Sequence, residues 1–472
     1  MIPFPPFFDL LAQTTAVLVI VVSMAQNLLY LVLLLTAVSV MLGRPRVHQS
    51  RALWNGLVDG APPVSVIVPA YNEAETIADS LRSLLALEYP DFRVVVVNDG
   101  STDATLDVLM REFGLEPAPL EHVSTLPHAP ARGLYRSTRH ANLVVLDKVN
   151  SGKADALNAG LGQVTTELFC AVDADSLIEA DGLLRVVQPF VEDPERVVAV
   201  GGTVRVANGC GVRAGRVRAV ALPRRMLPLL QTVEYLRAFM MARLAWGRIG
   251  CLMIVSGAFG LFRRDVVIEL GGYSTKTVGE DLELVVRLHR RMCNAGRDYR
   301  IEFVPEPVCW TQVPERLGEL ARQRQRWQRG ALETFFRHKD MLVGRKYGRV
   351  GRLGLGHILL LDVVTPLVEV LGYLLLPFFW LAGTINTPFF LAYLALTFAF
   401  GVFISVASLV LEEFERRRVP RARDLVVLTA AAIIENFGYR QLANFWRIQG
   451  HWQYWRGAAH WGRQDRRGFA AA

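Results

Sequence analysis

The sequence predicts an α/β fold, a mostly parallel, Rossmann-like sheet, flanked by transmembrane α-helices. Three observations predict it. Between Asp59 and about Gln312, short apolar runs alternate with amphipathic helical patterns, as in a parallel sheet with crossover helices. Apolar residues make up 52% of the 472-residue chain, and the excess is concentrated at its two ends. Carboxylates recur just after the apolar runs, at the strand ends where open α/β sheets bind ligands.

From Phe7 to Leu42 no charge follows Asp9, and a span needs about 20 apolar residues, so residues 1–43 hold one long helix or two tight ones. The stretch lacks the basic start and small-residue cleavage site of a secretory signal and reads as a retained anchor. Arg44, Arg46, His48 and Arg51 follow, and the positive-inside rule puts them, and the domain after them, in the cytoplasm.

Residues 59–312 form the predicted α/β domain. Val64 to Pro69 is a first strand, followed by Asn72-Glu73 and a helix through Leu87. Phe92 to Asn98 is a second, running into Asp99-Gly100 and a helix capped by Ser101 or Thr102. Glu116 to His140 reads as one long polar, irregular loop. Asn142 to Asp147 is a third strand, and Gly152-Lys153-Ala154-Asp155-Ala156-Leu157-Asn158 opens the next helix. Leu168 to Val172 is a fourth strand, ending in Asp173-Ala174-Asp175. In extended chain, residues i and i+2 point to one side, so the two aspartates can converge on a hard cation such as Mg²⁺ or Mn²⁺. Taken alone, the triplet suits a turn or a helix cap equally. Val197 to Val206 is a fifth strand, after which the alternation stops.

Arg218 to Met253 is amphipathic and Met-rich, and fits either the membrane interface or an ordinary core-facing helix. Ser256-Gly257-Ala258-Phe259-Gly260 reads as a tight small-residue turn, and Gly279-Glu280-Asp281 precedes a helix from Leu282 to Met292. Residues 313–352 are a basic interfacial region containing Gln323-Arg324-Gln325-Arg326-Trp327. In residues 353–472, spans at about Ile358 to Leu381 and Phe389 to Leu411 form a hairpin returning to an arginine-rich, cytoplasmic Glu412–Arg423 loop. Leu425 to Ile434 is short for a span and reads as re-entrant or interfacial, with a basic cytoplasmic tail beyond it.

The net charge of +8 fits an anionic membrane surface or an anionic substrate. There is no recognition helix, zinc finger or aromatic–basic repeat, so nucleic acid is not an expected partner. Five scattered cysteines have no paired spacing for zinc or a disulfide framework, which favours a reducing compartment.

Taken together, Pro69-Ala-Tyr-Asn-Glu, Asn98-Asp-Gly-Ser-Thr-Asp, Gly152-Lys-Ala-Asp-Ala-Leu-Asn, Asp173-Ala-Asp, Gly279-Glu-Asp and Gln323-Arg-Gln-Arg-Trp resemble the membrane-embedded family-2 glycosyltransferases. The cellulose, chitin, hyaluronan and poly-N-acetylglucosamine synthases belong there, and the likeness covers roughly Pro63 to Gly330. It implies a cytoplasmic GT-A domain on a membrane platform, a UDP-sugar donor, a polysaccharide or glycolipid acceptor, Mg²⁺ or Mn²⁺, and export or accessory subunits as further partners. By the same resemblance Asp99 contacts the uridine, with Asn72 and Glu73 nearby, and Lys153 and Asp155 help hold the nucleotide. Asp173 faces the sugar-nucleotide, Asp175 ligates the metal, and Glu280 adjoins Asp281, the general base on the acceptor hydroxyl. Arg326 steadies the pyrophosphate, Trp327 packs against the acceptor sugar, and Gln323 and Glu280 are further substrate-binding residues. The Ser256–Gly260 turn lacks the cysteine that some synthases carry there, leaving acceptor selectivity open. Single glycosylation of a membrane lipid is the alternative enzymatic reading, and a non-catalytic nucleotide-sugar-binding scaffold the alternative of another class.

Overall fold

The computed structural model describes residues 6–43, 60–120, 126–415 and 422–457. Arg44, Arg46, His48, Arg51, residues 416–421 of the arginine-rich 412–423 loop and the end of the basic tail lie outside them.

The valine-rich runs form strands buried on both faces, as interior parallel strands are. In β1 (Val64–Ala70) and β2 (Phe92–Asn98), Val64, Val66 and every residue from Val94 to Val97 are fully buried. They join a ten-stranded mixed sheet ordered β3-β4-β5-β2-β1-β6-β11-β8-β12-β7. Its heart is the parallel block of β5 (Leu143–Lys148), β2, β1 and β6 (Leu168–Val172). Beyond it, β11 (Phe259–Arg263) runs antiparallel to both β6 and β8 (Val197–Val206), and β12 (Arg300–Thr311) pairs in parallel with β8 and antiparallel with β7 (Ser176–Ile178). A separate two-stranded ribbon pairs β9 (Gly211–Arg213) with β10 (Arg216–Ala219).

Several expectations are corrected here. The irregular loop expected from Glu116 to His140 contains β3 (Leu115–Ala118) and β4 (Ala131–Ser137), an antiparallel edge whose half-exposed residues carry no long apolar run. Pro117 is tolerated there because an edge strand has backbone donors to spare. Phe259 and Gly260, expected in a turn, begin β11. The helix after β2 is not capped by Ser101 or Thr102: the carboxylate of Asp103 accepts from Thr105 N at 3.0 Å.

The helices in chain order are α1 (Pro6–Gly43), α2 (Ile77–Leu85), α3 (Thr105–Phe113), α4 (Lys153–Leu161), α5 (Gly182–Glu192), α6 (Met226–Leu236), α7 (Leu244–Ile249), α8 (Glu280–Ala295), α9 (Leu317–His338), α10 (Thr365–Leu381), α11 (Thr387–Glu415), α12 (Ala422–Ile434) and α13 (Tyr439–Trp455). The anchor is a single 38-residue helix, about 57 Å long at the α-helical rise. Three helices among the described residues are long and apolar enough to cross a membrane: Phe8–Gly43, Val350–Leu381 and Thr387–Glu412. The 13-residue α12 is not one of them.

The Arg218–Met253 stretch forms α6, a π-helical segment (Arg237–Arg243) and α7. Phe239, Met241, Leu244 and Trp246 join the same apolar core as the sheet, and so do Leu33, Leu34 and Ala37 of α1 and Ile404 of α11. This layer therefore lies between sheet and membrane helices, which reconciles its amphipathic pattern with a core position.

Candidate active site

The parallel block brings the carboxyl ends of β5, β2, β1 and β6 to one edge, with the strand order reversing beside β1, the place where such sheets bind ligands. On the β1 side, the turn holding Asn72, at φ 56°, is tied to the turn after β2. Asn72 Oδ1 accepts from Thr102 N at 2.8 Å and Asp103 N at 3.3 Å, while Asn72 N donates to Ser101 Oγ at 3.0 Å. Its polar side chain thus joins two loops. Glu73 is buried, and its carboxylate accepts from Thr76 Oγ1 at 2.8 Å.

Pairing of Asn98 with Asp147 in neighbouring strands sets the next residues, Asp99 and Lys148, side by side. Lys148 is completely buried, and its ammonium bridges Asp99 Oδ1 at 2.5 Å and Asp155 Oδ1 at 2.7 Å. Asp99 also accepts from Gly152 N at 2.8 Å and Ser151 N at 3.1 Å, and Asp155 from Ala129 N at 3.1 Å. The Asp99 and Asp155 carboxylates therefore form, with Lys148, a wall of paired charges at this edge. Lys148 is the residue sequence reasoning missed. Gly100 lets the wall close: a Cβ there would meet Asn150 N at 2.7 Å, and its φ of +63° suits glycine.

Lys153 opens α4 and reaches across the edge. Its Nζ lies 2.6 Å from Asp173 Oδ1 and 3.4 Å from Glu280 Oε1, and it donates to Gly257 O at 3.4 Å. Burial alone would lower this ammonium, but Asp173 and Glu280 hold its pKa above the ordinary value. Burial pushes the Glu280 carboxyl upward, with Asp281 adding to the rise while Lys153 and Arg326 oppose it. Lys153 thus draws together two carboxylates that the sequence separates by more than a hundred positions.

Asp173 and Asp175 do not stand on an extended strand. β6 stops at Val172, and Ser176 N donates to Asp173 O at 3.0 Å, closing a turn. Asp173 is partly exposed and faces Lys153, whereas Asp175 is buried. The alternation argument for their convergence therefore fails, although the turn still puts both at the mouth of the site. Among the described residues no group of three or more His, Cys, Asp or Glu side chains is placed to hold a metal ion. This donor set fits a cation of the Mg²⁺ type, which uses one or two carboxylates with substrate phosphates, and does not fit an all-protein cage.

Asp281 lies in the first turn of α8, where the helix dipole favours negative charge. Its Oδ2 accepts from Gly257 N at 3.1 Å and its Oδ1 from Leu282 N at 2.8 Å. Gly257 is required by this approach: a Cβ would come within 2.8 Å of Lys153 Nζ and 3.3 Å of Asp281 Oδ2. Lys153, Gly257, Tyr273, Glu280 and Asp281 line one small cavity with Ser256. Behind it, Asn158 exchanges both hydrogen bonds with the Tyr273 backbone, at 2.7 and 3.0 Å, which fixes α4 against the cavity loop.

Helix α9 carries Gln323, Arg326 and Trp327. It docks on the start of α8 through a backbone approach so close that a Cβ on Gly330 would lie 2.8 Å from Gly279 Cα. Glu333 reinforces the junction by accepting from Val278 N at 2.9 Å and Thr277 Oγ1 at 2.7 Å. Arg326 acts electrostatically on Glu280. Trp327 is 44% exposed, with Arg324 stacked on its ring at 4.4 Å. The Gln323 Oε1 is buried with no hydrogen-bond partner among the described residues. The paired charges of Asp99, Lys148, Asp155, Lys153, Asp173 and Glu280 thus stand beside Asp281, and α9 brings Arg326 into the same field.

Residues 62–330, more than half of the chain, match the family described as glycosyltransferase like family 2. The chain is 29% identical over 275 residues to a poly-beta-1,6-N-acetyl-D-glucosamine synthase of Staphylococcus epidermidis, covering 58% of this chain and 56% of that protein. It is 29% identical over 281 residues to the synthase of the same name from Staphylococcus aureus strain COL, covering 59% and 57%. The matched region thus spans little more than half the length of these relatives. Among solved structures, a mannosyltransferase from Pyrobaculum calidifontis in complex with GDP-Man and Mn²⁺ superposes with a TM-score of 0.56 at 18% identity, covering 96% of this chain and 99% of that one. That likeness is one of fold.

Proposed function

The chain belongs to the glycosyltransferase-like family 2, and from that premise we propose that it transfers a hexose or N-acetylhexosamine from a UDP-sugar to a growing β-linked polysaccharide, with inversion at the anomeric carbon. The observation that carries the reading is the setting of Asp281. Its carboxylate, held by Gly257 N and Leu282 N, lines one small cavity together with Lys153, which pairs with Asp173. A general base must sit within hydrogen-bond reach of the attacking hydroxyl, and a carboxylate fixed by two backbone donors is oriented for that task.

On this reading the Asp99–Lys148–Asp155 wall, with Asn72 and Glu73 behind it, shapes the nucleoside pocket, and Lys153 and Asp173 face the sugar and diphosphate. Asp175 would ligate Mg²⁺ or Mn²⁺, completed by diphosphate oxygens and water; when bound, the cation supplies positive charge to the departing diphosphate. Arg326 adds a guanidinium suited to phosphate oxygens. Glu280 holds Lys153 in place, and Asp281 removes the proton from the acceptor hydroxyl. Gln323 and the open face of Trp327 receive the acceptor sugar.

The catalytic domain would sit on the cytoplasmic face, with the three apolar helices crossing the membrane. The first curated relatives make UDP-N-acetylglucosamine the first donor to try. The test is UDP release by purified protein across a panel of UDP-sugars with Mg²⁺ or Mn²⁺, followed by product sizing. A polymeric product is expected. A single-sugar lipid product would overturn polymer synthesis, and the absence of transfer from every nucleotide sugar would overturn the enzymatic reading.

A further inference from the structure

The layer between the sheet and the membrane helices carries one cation that no part of the site described above uses. Arg243 closes the π-helical segment Arg237–Arg243, and π turns concentrate at functional sites. Its guanidinium carbon sits 3.7 Å from the centre of the Phe239 ring, so the group is held flat against a buried aromatic. Its Nη1 is buried and has no hydrogen-bond partner among the described residues. An unmet buried donor on a cation is costly to leave in place.

The surroundings say what the donor faces. Arg243 lies in the electrostatic field of Asp281 and Tyr235, and Tyr235 in that of Asp175 and Arg324. Arg324 is the residue stacked on Trp327, and it is anchored by Glu234 at 2.8 Å. Tyr235, Arg243 and Arg324 therefore stand on the interlayer helices and α9 in the field of the site's carboxylates, outside the small cavity that Lys153, Gly257 and Asp281 line, and Arg243, unlike Arg324, has no ion pair among the described residues. Elsewhere in the site the cationic positions are already filled: Lys148 pairs with Asp99 and Asp155, and Lys153 with Asp173 and Glu280.

We propose that Arg243 determines acceptor specificity: its free Nη1–H donates to an oxygen of the neutral acceptor sugar, a hydroxyl or an amide carbonyl, and sets the sugar's orientation at Asp281. The assignment rests on the glycosyltransferase reading. Phe239 fixes the plane of the guanidinium, so the donor points one way and a misaligned sugar leaves it unmet, which is how buried polar groups discriminate.

The experiment measures transfer to a β-linked oligosaccharide and, separately, UDP release to water without acceptor, for wild type, Arg243→Met and Arg243→Gln in the full-length protein. Both variants are expected to raise the acceptor KM by about 10-fold or more, the loss of one charge-assisted hydrogen bond, with acceptor-independent UDP release and donor KM within about twofold of wild type on the same scale. An unchanged acceptor KM overturns the assignment. So does a parallel fall in acceptor-independent release, which would place Arg243 on the donor diphosphate, or failure of both variants to accumulate as folded protein, which would make it structural. Absence of transfer by the wild type itself would remove the underlying reading, and this assignment with it.

Discussion

On the reading proposed above, the donor side and the acceptor side of the site are built on opposite principles. On the donor side, folding has already satisfied the ionic groups: Lys148 spans Asp99 and Asp155, Lys153 spans Asp173 and Glu280, and Asn72 is consumed by neighbouring backbone. On the acceptor side, groups are left open: Trp327 is 44% exposed, Gln323 Oε1 is unpaired, and Arg243 Nη1 has no partner among the described residues. A wall of mutually satisfied charges is rigid and selects by shape. A side with unmet polar groups and an aromatic face would suit a chain of sugars whose hydroxyls complete it. The contrast assigns separable consequences to substitutions on the two sides.

The largest effect is expected at Lys148. Lys148→Met leaves two buried carboxylates without their shared cation, a loss of about 3–5 kcal/mol of stability, read as a fall in melting temperature together with lost UDP binding. Gly330→Ala comes next. Its Cβ would meet Gly279 backbone at 2.8 Å and wedge α9 from α8, costing about 1–3 kcal/mol as overpacking does; transfer should fall while UDP affinity holds. Trp327→Ala should raise the acceptor KM by roughly 3- to 10-fold, the scale of one aromatic contact, with the donor KM unmoved.

The smallest effect concerns pH. Burial holds the Glu280 carboxyl above its ordinary 4.5, so above that pH the folded protein keeps a proton that the unfolded chain has released. Stability should therefore decline as pH rises through the window between 4.5 and the raised value. Glu280→Gln should flatten that decline in a series of melting temperatures, and an unchanged slope would remove the assignment.

How far the sequence disclosed this division follows from the physics of each part. The parallel block was legible because strands buried on both faces must be continuous apolar runs, as Val94 to Val97 are. β3 and β4 were not, because edge strands mix polar with apolar residues, and Pro117 argued against a strand. Asn72, Asp99 and Asp173 were legible as a group because each follows a strand within two residues, whereas Glu280 and Asp281 open α8 and Gln323, Arg326 and Trp327 lie within α9. Lys148 escaped because its role depends on the register of β2 against β5, which no local pattern encodes. The reading of Asp173 and Asp175 as neighbours on an extended strand failed because the chain turns immediately after Val172. Arg243 left no signal beyond an amphipathic stretch, since its significance lies in being unpaired.

The division is tested most directly by calorimetric titration of UDP into Asp281→Asn and Lys148→Met side by side, with transfer measured on the same preparations. The Asp281 variant should bind UDP within about twofold of wild type while losing 10²- to 10⁴-fold in transfer, roughly the contribution of a general base, and the Lys148 variant should lose UDP binding itself. Wild-type transfer by Asp281→Asn, or normal UDP binding by a folded Lys148→Met, would contradict the account.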